Sequence, residues 1–218
     1  VGVHNLRNYT HDKRRTVDDR PYGGGPGMVM KPEPIFEAIE AVRGRCAHPA
    51  RRPRDGVCQA ILMGPQGEVL SAAIAEELAE ASHLIIICGH YEGVDERVRK
   101  ALVDRTISIG DYVVTGGELP ALVLIDAVVR FIPGVIGHQQ ATSDDSFATG
   151  WLEHPQYTRP PTYNNMAVPD VLRSGDHGRI ARWRKLQSVT ETLSSRPDRF
   201  ALRIADCELR IGRPENPQ

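Results

Sequence analysis

Two short apolar runs separated by a helical segment constrain the fold of this 218-residue chain more than any other feature. Val57–Met63 contains a single polar side chain, and His83–Cys88 (HLIIIC) is apolar and rich in isoleucine, as in a strand that is covered on both faces. Between them, Ser71–Ala81 has the composition of a helix. A strand, a helix and a second strand in this order predict a parallel pair and an α/β fold.

Further segments extend this core. Pro32–Val42 begins with prolines suited to a first helical turn and carries apolar residues at helical spacing, whereas Arg43–Asp55 is rich in Arg, Pro and Gly and predicts an exposed loop. Thr106–Ile109 predicts another short strand. A long helix is expected from Leu119 to about Phe131, before the helix-stopping pair Pro133-Gly134.

The periodicity is lost between His138 and Pro161, where polar residues and prolines predict a linker of about two dozen residues. Beyond it, Val171-Leu172 and Ile180–Leu193 predict a small helical domain. We therefore expect a catalytic body at residues 1–137, a linker at 138–161 and a C-terminal domain at 162–218. The chain starts at Val1 without a basic and apolar leader, and we expect that an N-terminal piece of its parent is missing.

Composition argues against several classes of protein. Hydrophobic residues make up 40% and charged residues 25% of the chain, as in ordinary globular proteins and unlike disordered or fibrous ones. Apolar runs such as Leu84–Cys88 are far shorter than the roughly 18 residues of a membrane-spanning helix. The four cysteines show no metal-ligand spacing, which indicates a reducing cytosol and no structural zinc.

The net charge of −1 conceals an uneven distribution. Residues 1–60 hold 11 Lys/Arg and 7 Asp/Glu, residues 61–154 hold 5 and 14, and residues 155–218 hold 11 and 7. Basic flanks around an acidic centre suit a catalytic body whose outer parts meet phosphate groups. Chance variation of surface charge explains the pattern equally well, so on charge alone both explanations stay open.

The glycine-rich stretch Asp18–Gly27 (DDRPYGGGPG) is not a dinucleotide-binding fingerprint. A Rossmann fingerprint follows an apolar strand and opens a helix, whereas this stretch follows the polar segment Thr10–Arg20 and contains a proline among its glycines. No GK[ST] follows, so it is not a P-loop either. It forms a structural turn or a loop whose backbone approaches a ligand, and the turn is the simpler interpretation.

Two other glycine-rich loops follow predicted strands. Gly89–Gly93 (GHYEG) follows the strand His83–Cys88, and Ser108–Glu118 (SIGDYVVTGGE) follows Thr106–Ile109. Ligands of open α/β sheets bind at the carboxyl ends of the strands, and glycines expose backbone groups that can recognise the edge of an adenine. Each glycine taken singly is also explained by a tight turn.

A carboxylate and a guanidinium are candidates for proton-transfer chemistry. Asp145 lies in the predicted linker, and Arg130 ends the helix before it. A carboxylate can act as a general base, and a guanidinium can stabilise the anion that forms when the proton leaves. Acidic pairs in loops, such as Asp144-Asp145, are more often helix caps or solvated charges.

Eight motifs stand in a fixed order along nearly the whole chain. They are DDRPYGGGPGM (Asp18–Met28), GPQG (Gly64–Gly67), CGHYEGVDERV (Cys88–Val98), SIGDYVVTGGELP (Ser108–Pro120), RFIPGV (Arg130–Val135), DDSF (Asp144–Phe147), YTRP (Tyr157–Pro160) and RWRKLQS (Arg182–Ser188). Together they resemble TrmD, the bacterial tRNA (guanine-N1)-methyltransferase family of the SPOUT superfamily. The family's N-terminal strand and loop have no counterpart here, and Arg43–Cys58 matches poorly.

The resemblance implies a catalytic domain with a deep trefoil knot around a parallel sheet, followed by a small α-helical C-terminal domain. S-adenosylmethionine would sit bent in the knot, held mostly by backbone groups. The implied donor-site residues are Pro65, Gly67, Cys88, Gly89, Tyr91, Glu92, Ser108, Ile109, Gly110, Tyr112, Val114, Gly116 and Gly117. Mg²⁺ would assist catalysis without a dedicated protein site.

The resemblance also implies a cytoplasmic enzyme that methylates N1 of the tRNA guanosine at position 37, on the 3′ side of the anticodon. Asp145 would be the general base and Arg130 its electrostatic partner, in a homodimer whose active site lies at the subunit interface. The implied tRNA-binding residues are Asp19, Arg20, Tyr22, Gly23, Gly24, Arg159, Arg182, Arg184 and Lys185. A noncatalytic RNA-binding module and a ribose 2′-OH methyltransferase are the alternatives; the presence of Asp145, Arg130 and the donor loops favours the base-methylating enzyme.

Overall fold

The fold is taken from a computed structural model, which describes residues 1–46, 58–135, 145–148 and 150–200. The chain forms two compact units, Val1–Ile136 and Gly137–Gln218, and each is described by itself. None of the described helices is both long enough and apolar enough to cross a membrane.

The first unit alternates strands and helices, as the sequence predicts. In chain order its elements are a 3-10 helix Leu6–Tyr9, β1 Asp18–Asp19, β2 Val29–Met30, α1 Pro32–Cys46, β3 Cys58–Val69, α2 Ala72–Ala79, β4 His83–Cys88, α3 Glu96–Leu102, β5 Arg105–Ser108 and α4 Glu118–Val129. Strands β4, β3 and β5 form a parallel sheet in that spatial order. The predicted α/β class with a parallel sheet is confirmed.

Both faces of this sheet are buried. On one face, Ile61 and Ile107 pack with Leu78 of α2 and Leu124 of α4, and all four side chains are almost completely buried. On the other face, Leu62 belongs to a second cluster, which also contains residues of α1 and α3. Successive residues of β3 thus point to opposite faces and meet helices on both, which explains why the strands are almost uniformly apolar.

Strand β3 is longer than predicted. We expected it to end at Gly64–Gly67, but it runs on to Val69, with a register shift at which Met63 and Glu68 both pair with Ile107. The four residues of GPQG are therefore an irregularity within the strand and not its end. A bulge of this kind re-aims the chain without breaking the pairing.

Helix α1 also extends beyond its predicted end at Val42, as far as Cys46. The guanidinium of Arg43 donates a hydrogen bond of 3.1 Å to the carbonyl of Leu102 and lies 3.6 Å from the Asp104 carboxylate. These contacts fix the last turn of the helix to the end of α3, where the sequence predicted a loop. The rest of that predicted loop lies outside the described residues.

Helix α3 was not predicted from the sequence. It has seven residues, and Val98 is its one fully buried residue, so its apolar pattern, Val98 with Leu102, is too short to identify a helix. Its start is marked by Asp95, whose side chain accepts a hydrogen bond from the backbone N–H of Arg97. An N-cap of this kind is the local signal that identifies such a short helix.

The second unit contains an antiparallel pair, β6 Thr162–Tyr163 and β7 Met166–Ala167, followed by helices α5 Asp170–Arg173 and α6 His177–Ser195. The turn between the strands is Asn164-Asn165, and both residues have positive φ (48° and 61°), as in the type I′ turns that asparagine favours. Helix α6 confirms the helix predicted over 180–193. Much of the first half of the predicted linker lies outside the described residues.

Candidate functional site

The three segments that the family resemblance assigns to the donor site lie along one edge of the sheet. We call the bulge Gly64–Gly67 the first loop, Gly89–Gly93 the second loop and Ile109–Gly117 the third loop. In the parallel register, Met63 of β3 pairs with Cys88 of β4 and with Ile107 of β5. Met63, where the bulge of β3 begins, therefore lies beside the carboxyl ends of β4 and β5, and the bulge and the two loops share one edge. Predicted donor-site residues from all three segments are brought together at the place where α/β sheets bind ligands.

The second and third loops are in direct contact through glycine. The backbone N–H of Gly117 donates a hydrogen bond of 2.8 Å to the carbonyl of Gly89. A Cβ atom built on Gly117 would lie 2.6 Å from the Cα of Cys88 and 2.8 Å from the N of Gly89. Those distances are too short for any side chain, so the close approach of the two loops requires glycine here.

Gly67 has the same role between the first loop and β5. A Cβ atom at this position would collide with the backbone of Thr106 and Ile107. The bulge of β3 can therefore lie against β5 only because residue 67 lacks a side chain. Glycines 67 and 117 both belong to the set that the family resemblance assigns to the donor site.

Local hydrogen bonds shape the loop after β5. The Oγ of Ser108 donates to the carbonyl of Gly110 (3.0 Å) and accepts from its N–H (3.2 Å). The hydroxyl of Tyr112 donates to the carbonyl of Ile109 (3.3 Å), and Gly110 has a φ of 145°. The loop is thus ordered by its own short side chains and glycine, while Val114 and the Tyr112 ring remain exposed.

His90 and Glu118 form an ion-pair contact across this edge. The Nε2 of His90 lies 2.6 Å from the Oε1 of Glu118, and both side chains crowd Gly116, where a Cβ atom would lie 2.6 Å from each. Burial, with a smaller contribution from the negative charge of Glu118, raises the pKa of the Cys88 thiol to about 11. Cys88 is therefore a neutral thiol at physiological pH. Sequence analysis did not identify the His90–Glu118 pair.

The glycine-rich stretch after β1 is the turn of a hairpin, and it packs beside the second loop. Gly23, Gly24, Gly25 and Gly27 all have positive φ, a backbone conformation that glycine adopts without strain. A Cβ atom on Gly27 would collide with the side chain of Glu92, and the N–H of Glu92 donates to the carbonyl of Met28 (3.0 Å). Tyr91, at the centre of the second loop, also has a positive φ of 59°.

An arginine outside all the motifs braces the first loop. The Nε of Arg105 donates to Glu68 Oε1 (2.7 Å), and its Nη1 lies 2.9 Å from Glu77 Oε1. The hydrogen bond from Arg105 holds the pKa of the Glu68 carboxyl below its ordinary value. Because Glu68 directly follows Gly67, this pair fixes the end of the bulge to β5 and α2. Glu68 and Arg105 are 37 residues apart in the sequence, so no local charge pattern could have revealed their contact.

The proposed catalytic pair is divided between the two units. Arg130 caps the carboxyl end of α4 in the first unit, and Asp145 begins a turn in the second, where its carbonyl accepts a hydrogen bond from the N–H of Ala148 (3.2 Å). Asp144 lies outside the described residues. The structure therefore leaves the pairing of Asp145 with Arg130 as a prediction.

The segment that carries Asp145 is fixed within its own unit. The Oγ of Ser146 accepts a hydrogen bond from the N–H of Glu153 (2.9 Å). The ring of Phe147, which has a positive φ of 75°, lies 5.7 Å from the guanidinium of Arg196 and 5.5 Å from that of Arg199. These two cation–π contacts hold the DDSF segment to the chain that follows α6.

The residues predicted to bind tRNA are exposed, and they lie in both units. In the first unit Tyr22 is fully exposed at the tip of the β1–β2 hairpin, beside Asp19, Arg20, Gly23 and Gly24. In the second unit the exposed cations are Arg159, Arg182, Arg184 and Lys185. Trp183 is half-buried against Tyr157 and His154. Over the described residues, no group of three or more His, Cys, Asp or Glu side chains is arranged to hold a metal ion.

Comparisons with known proteins identify the family. The family model described as tRNA (Guanine-1)-methyltransferase TrmD matches residues 1–201. A tRNA (guanine-N(1)-)-methyltransferase of Moorella thermoacetica is 55% identical over 92% of this chain and 78% of its own length. Those of Dehalococcoides mccartyi and Staphylococcus epidermidis are 51% and 52% identical, over 99% and 91% of this chain and 86% and 77% of their own lengths. The chain therefore belongs to the TrmD family of tRNA (guanine-1)-methyltransferases.

Proposed function

We propose that this protein transfers a methyl group from S-adenosylmethionine to N1 of guanosine 37 in tRNA, in the cytoplasm. Family membership supports the reaction class, and the contact of Gly117 with the backbone of Cys88 and Gly89 is the structural observation that carries the donor site. A site made of converging backbone segments suits a donor that is recognised by its adenine edge and its ribose.

The residues at the sheet edge fit the donor. We call the cradle the space between the three loops. At Gly67 and Gly117 a Cβ atom would meet the backbone of a neighbouring segment, so backbone N–H and C=O groups line the cradle. The segments Pro65–Gly67, Cys88–Glu92 and Ser108–Gly117 would hold the donor, with Ile109 and Val114 as apolar contacts. When bound, S-adenosylmethionine supplies a methyl group on a positively charged sulfur, which makes the methyl carbon electrophilic.

The chain must remove a proton from the acceptor. Guanine N1 carries a proton at neutral pH, so it becomes a nucleophile only when a base accepts that proton. We assign this role to the carboxylate of Asp145 and assign to Arg130 the stabilisation of the negative charge left on O6. Since N1 belongs to the Watson–Crick edge, the guanosine has to be unpaired, as in an anticodon loop.

The proposal includes a homodimer with its active site at the subunit interface. Its physical support is helix α4, on which Leu119, Leu122 and Val123 are 64%, 61% and 47% exposed. Together with Val113, which is 84% exposed, they give the first unit an apolar surface, the kind of patch that marks an interaction site. A second copy of the chain is the proposed occupant.

The finer features of the fold also belong to the proposal. We expect the loops after β4 and β5 to form a trefoil knot, in keeping with the hydrogen bond from Gly117 to Gly89. We expect the second unit to act as a helical tRNA-binding domain joined to the catalytic body by the segment that carries Asp145.

A transfer assay tests the function directly. Unmodified tRNA with guanosine at position 37 is compared with the same tRNA carrying adenosine there, using a donor with a radiolabelled methyl group. We expect labelling of the guanosine tRNA and identification of 1-methylguanosine in its digest, with no labelling of the adenosine tRNA. Binding of both tRNAs without transfer to either would instead indicate a noncatalytic RNA-binding module, and label on a ribose 2′-O would indicate a different methyltransferase.

A further inference from the structure

The second unit contains a groove that is lined by residues of this unit alone. Its walls are formed by residues 154–159, Pro161, Val168 after β7 and side chains of α5 and α6, and its volume is about 570 Å³. Sites for small organic ligands generally occupy roughly 300–1,000 Å³. The groove is therefore large enough for one nucleotide.

The groove is lined by cations without a matching carboxylate. Arg159, Arg173 and Arg184 line it, whereas none of its described lining residues is Asp or Glu. Arg173 lies 3.8 Å from the exposed Asp170, but within the described part of the chain no ion pair engages Arg159 or Arg184. Two guanidinium groups at one groove without an anionic partner favour a ligand that supplies the anion, and guanidinium geometry matches phosphate.

One wall of the groove is aromatic. Tyr157 lines it with 49% of its surface exposed, and His154 lines it as well. Behind them the half-buried Trp183 is in contact with both rings, with centroid distances of 6.4 Å to Tyr157 and 6.5 Å to His154. Trp183 therefore supports a flat, partly open ring, which is the platform on which proteins stack unpaired bases.

We infer that this groove binds one unpaired nucleotide of the tRNA, with its base against Tyr157 and its phosphate paired with Arg159 and Arg184. The inference rests on the proposed function for the nature of the RNA. We assign the groove to a nucleotide other than the methylated guanosine, because its lining includes neither Asp145 nor any residue assigned to the donor site. Apolar side chains of Leu172 and Ile180 also line the groove and suit the nonpolar faces of a base or ribose.

An abasic scan combined with substitution tests the inference. Unmodified tRNAs that each lack the base at one unpaired position are titrated against the wild-type protein and against Tyr157→Ala. Loss of a stacked base weakens binding roughly 5- to 150-fold, so we expect one abasic tRNA to bind the wild type more weakly by such a factor. That same tRNA should show no further loss with Tyr157→Ala, because the contact is already absent.

The phosphate contact has its own variant and a matched control. Arg184→Gln should reduce the slope of log affinity against log salt by about 0.7 to 0.9. Arg179→Gln removes the same charge from the same helix, but Arg179 does not line the groove, so its slope and affinity should equal those of the wild type. Arg184 is exposed, so this variant stays informative even if Tyr157→Ala fails to fold. Tyr157→Phe keeps the ring and should bind as the wild type does.

The inference is overturned if every abasic tRNA loses the same factor with Tyr157→Ala as with the wild type, or if Arg184→Gln leaves the salt slope unchanged. If the groove instead binds an acidic or phosphorylated peptide, Arg184→Gln would leave the salt slope unchanged with every tRNA. Methyl transfer by the wild type separates this failure from that of the proposed function. If the wild type is active but Tyr157→Ala and the abasic tRNA act independently on binding, the proposed groove is rejected and the proposed function is not. If the wild type is inactive, the proposed function is rejected, and the tRNA-binding measurements alone decide whether the groove binds a nucleotide.

Discussion

The backbone N–H of Leu152 donates a hydrogen bond of 2.9 Å to Oγ1 of Thr192, a side chain that is completely buried. The same Oγ1 donates to the carbonyl of Ser188 (2.7 Å), and the Oγ of Ser188 donates to the carbonyl of Leu152. Two hydroxyl groups of α6 thus satisfy both backbone groups of one residue in the segment that follows Asp145. Helix α6 therefore orders the chain next to the proposed base.

Thr192→Val should destabilise the protein by about 1–3 kcal/mol, because it keeps the shape of the side chain but leaves the N–H of Leu152 buried without an acceptor. Urea unfolding followed by circular dichroism measures the change. Thr190→Val is the control: it removes a similar hydrogen bond to the carbonyl of Leu186 from an exposed position on the same helix and should cost less than about 0.5 kcal/mol. Equal losses in both variants would contradict the role of burial.

Gly117→Ala should weaken binding of S-adenosylmethionine at least tenfold. The new methyl group would lie 2.6 Å from the Cα of Cys88, so the two loops have to separate and the cradle changes shape. Isothermal titration calorimetry measures the affinity. The matched control is Gly44→Ala in α1, where nothing lies within 4 Å of the added atom; this variant should keep its donor affinity and gain up to about 1 kcal/mol of stability, since alanine favours a helix. Unchanged binding by Gly117→Ala would move the donor elsewhere.

Asp145→Asn should reduce the single-turnover rate of methyl transfer by roughly 10²- to 10⁴-fold, the usual contribution of a general base. The affinity for the donor should be unaffected, because the carboxylate acts on guanine. Asp144→Asn changes the neighbouring carboxylate in the same motif and should retain most of the activity. Comparable losses in both variants would assign the pair a structural role.

The Cys88 thiol should resist alkylation at neutral pH. Burial raises its pKa to about 11, and the reactive form is the thiolate, so the labelling rate by iodoacetamide should keep rising as the pH is increased towards 11. The same cysteine in the urea-unfolded chain should level off near pH 9, the ordinary range of a thiol. Peptide mass spectrometry resolves the site. A plateau near pH 9 in the folded protein would show that the thiol is not shielded.

Leu122→Lys should convert the proposed dimer into a monomer, since it places a charge in the centre of the apolar surface on α4. Light scattering coupled to size-exclusion chromatography gives the molar mass. Leu193→Lys on α6 changes a leucine of similar exposure, 53% against 61%, outside that surface and should leave the mass unchanged. A wild type that is monomeric at micromolar concentration would contradict the dimer itself.

The sequence predicted the elements with strong apolar patterns and missed those held by single contacts. Strand His83–Cys88 was placed at its observed bounds, because a short run of consecutive isoleucines strongly favours a strand. Helix α3 was missed because it buries one side chain, and the continuation of β3 through GPQG was missed because a proline and two glycines normally end a strand. Gly67 allows the backbone of β5 to approach β3, and β5 lies about 40 residues further along the chain. The local sequence therefore does not show whether this glycine ends the strand or permits that approach.

The same limit applies to the site. The glycines of the three loops were identified from their positions after strands and from the family resemblance. The His90–Glu118 contact and the Arg105–Glu68 pair were not, since each joins side chains that are distant in sequence and common on any surface. Such pairs become visible only when the register of β3 with its two neighbours is known.

The close backbone contacts at Gly67 and Gly117 also bear on how easily the enzyme could evolve resistance to an inhibitor. A compound that competes with the donor through main-chain hydrogen bonds would contact groups that every substitution except one to proline leaves in place. Adding a side chain at either glycine would displace the loops to which we assign the methyl donor. Mutations that exclude the compound by filling the cradle would therefore disable the enzyme as well, and escape would have to arise from the exposed residues around it, such as Tyr112 and Val114.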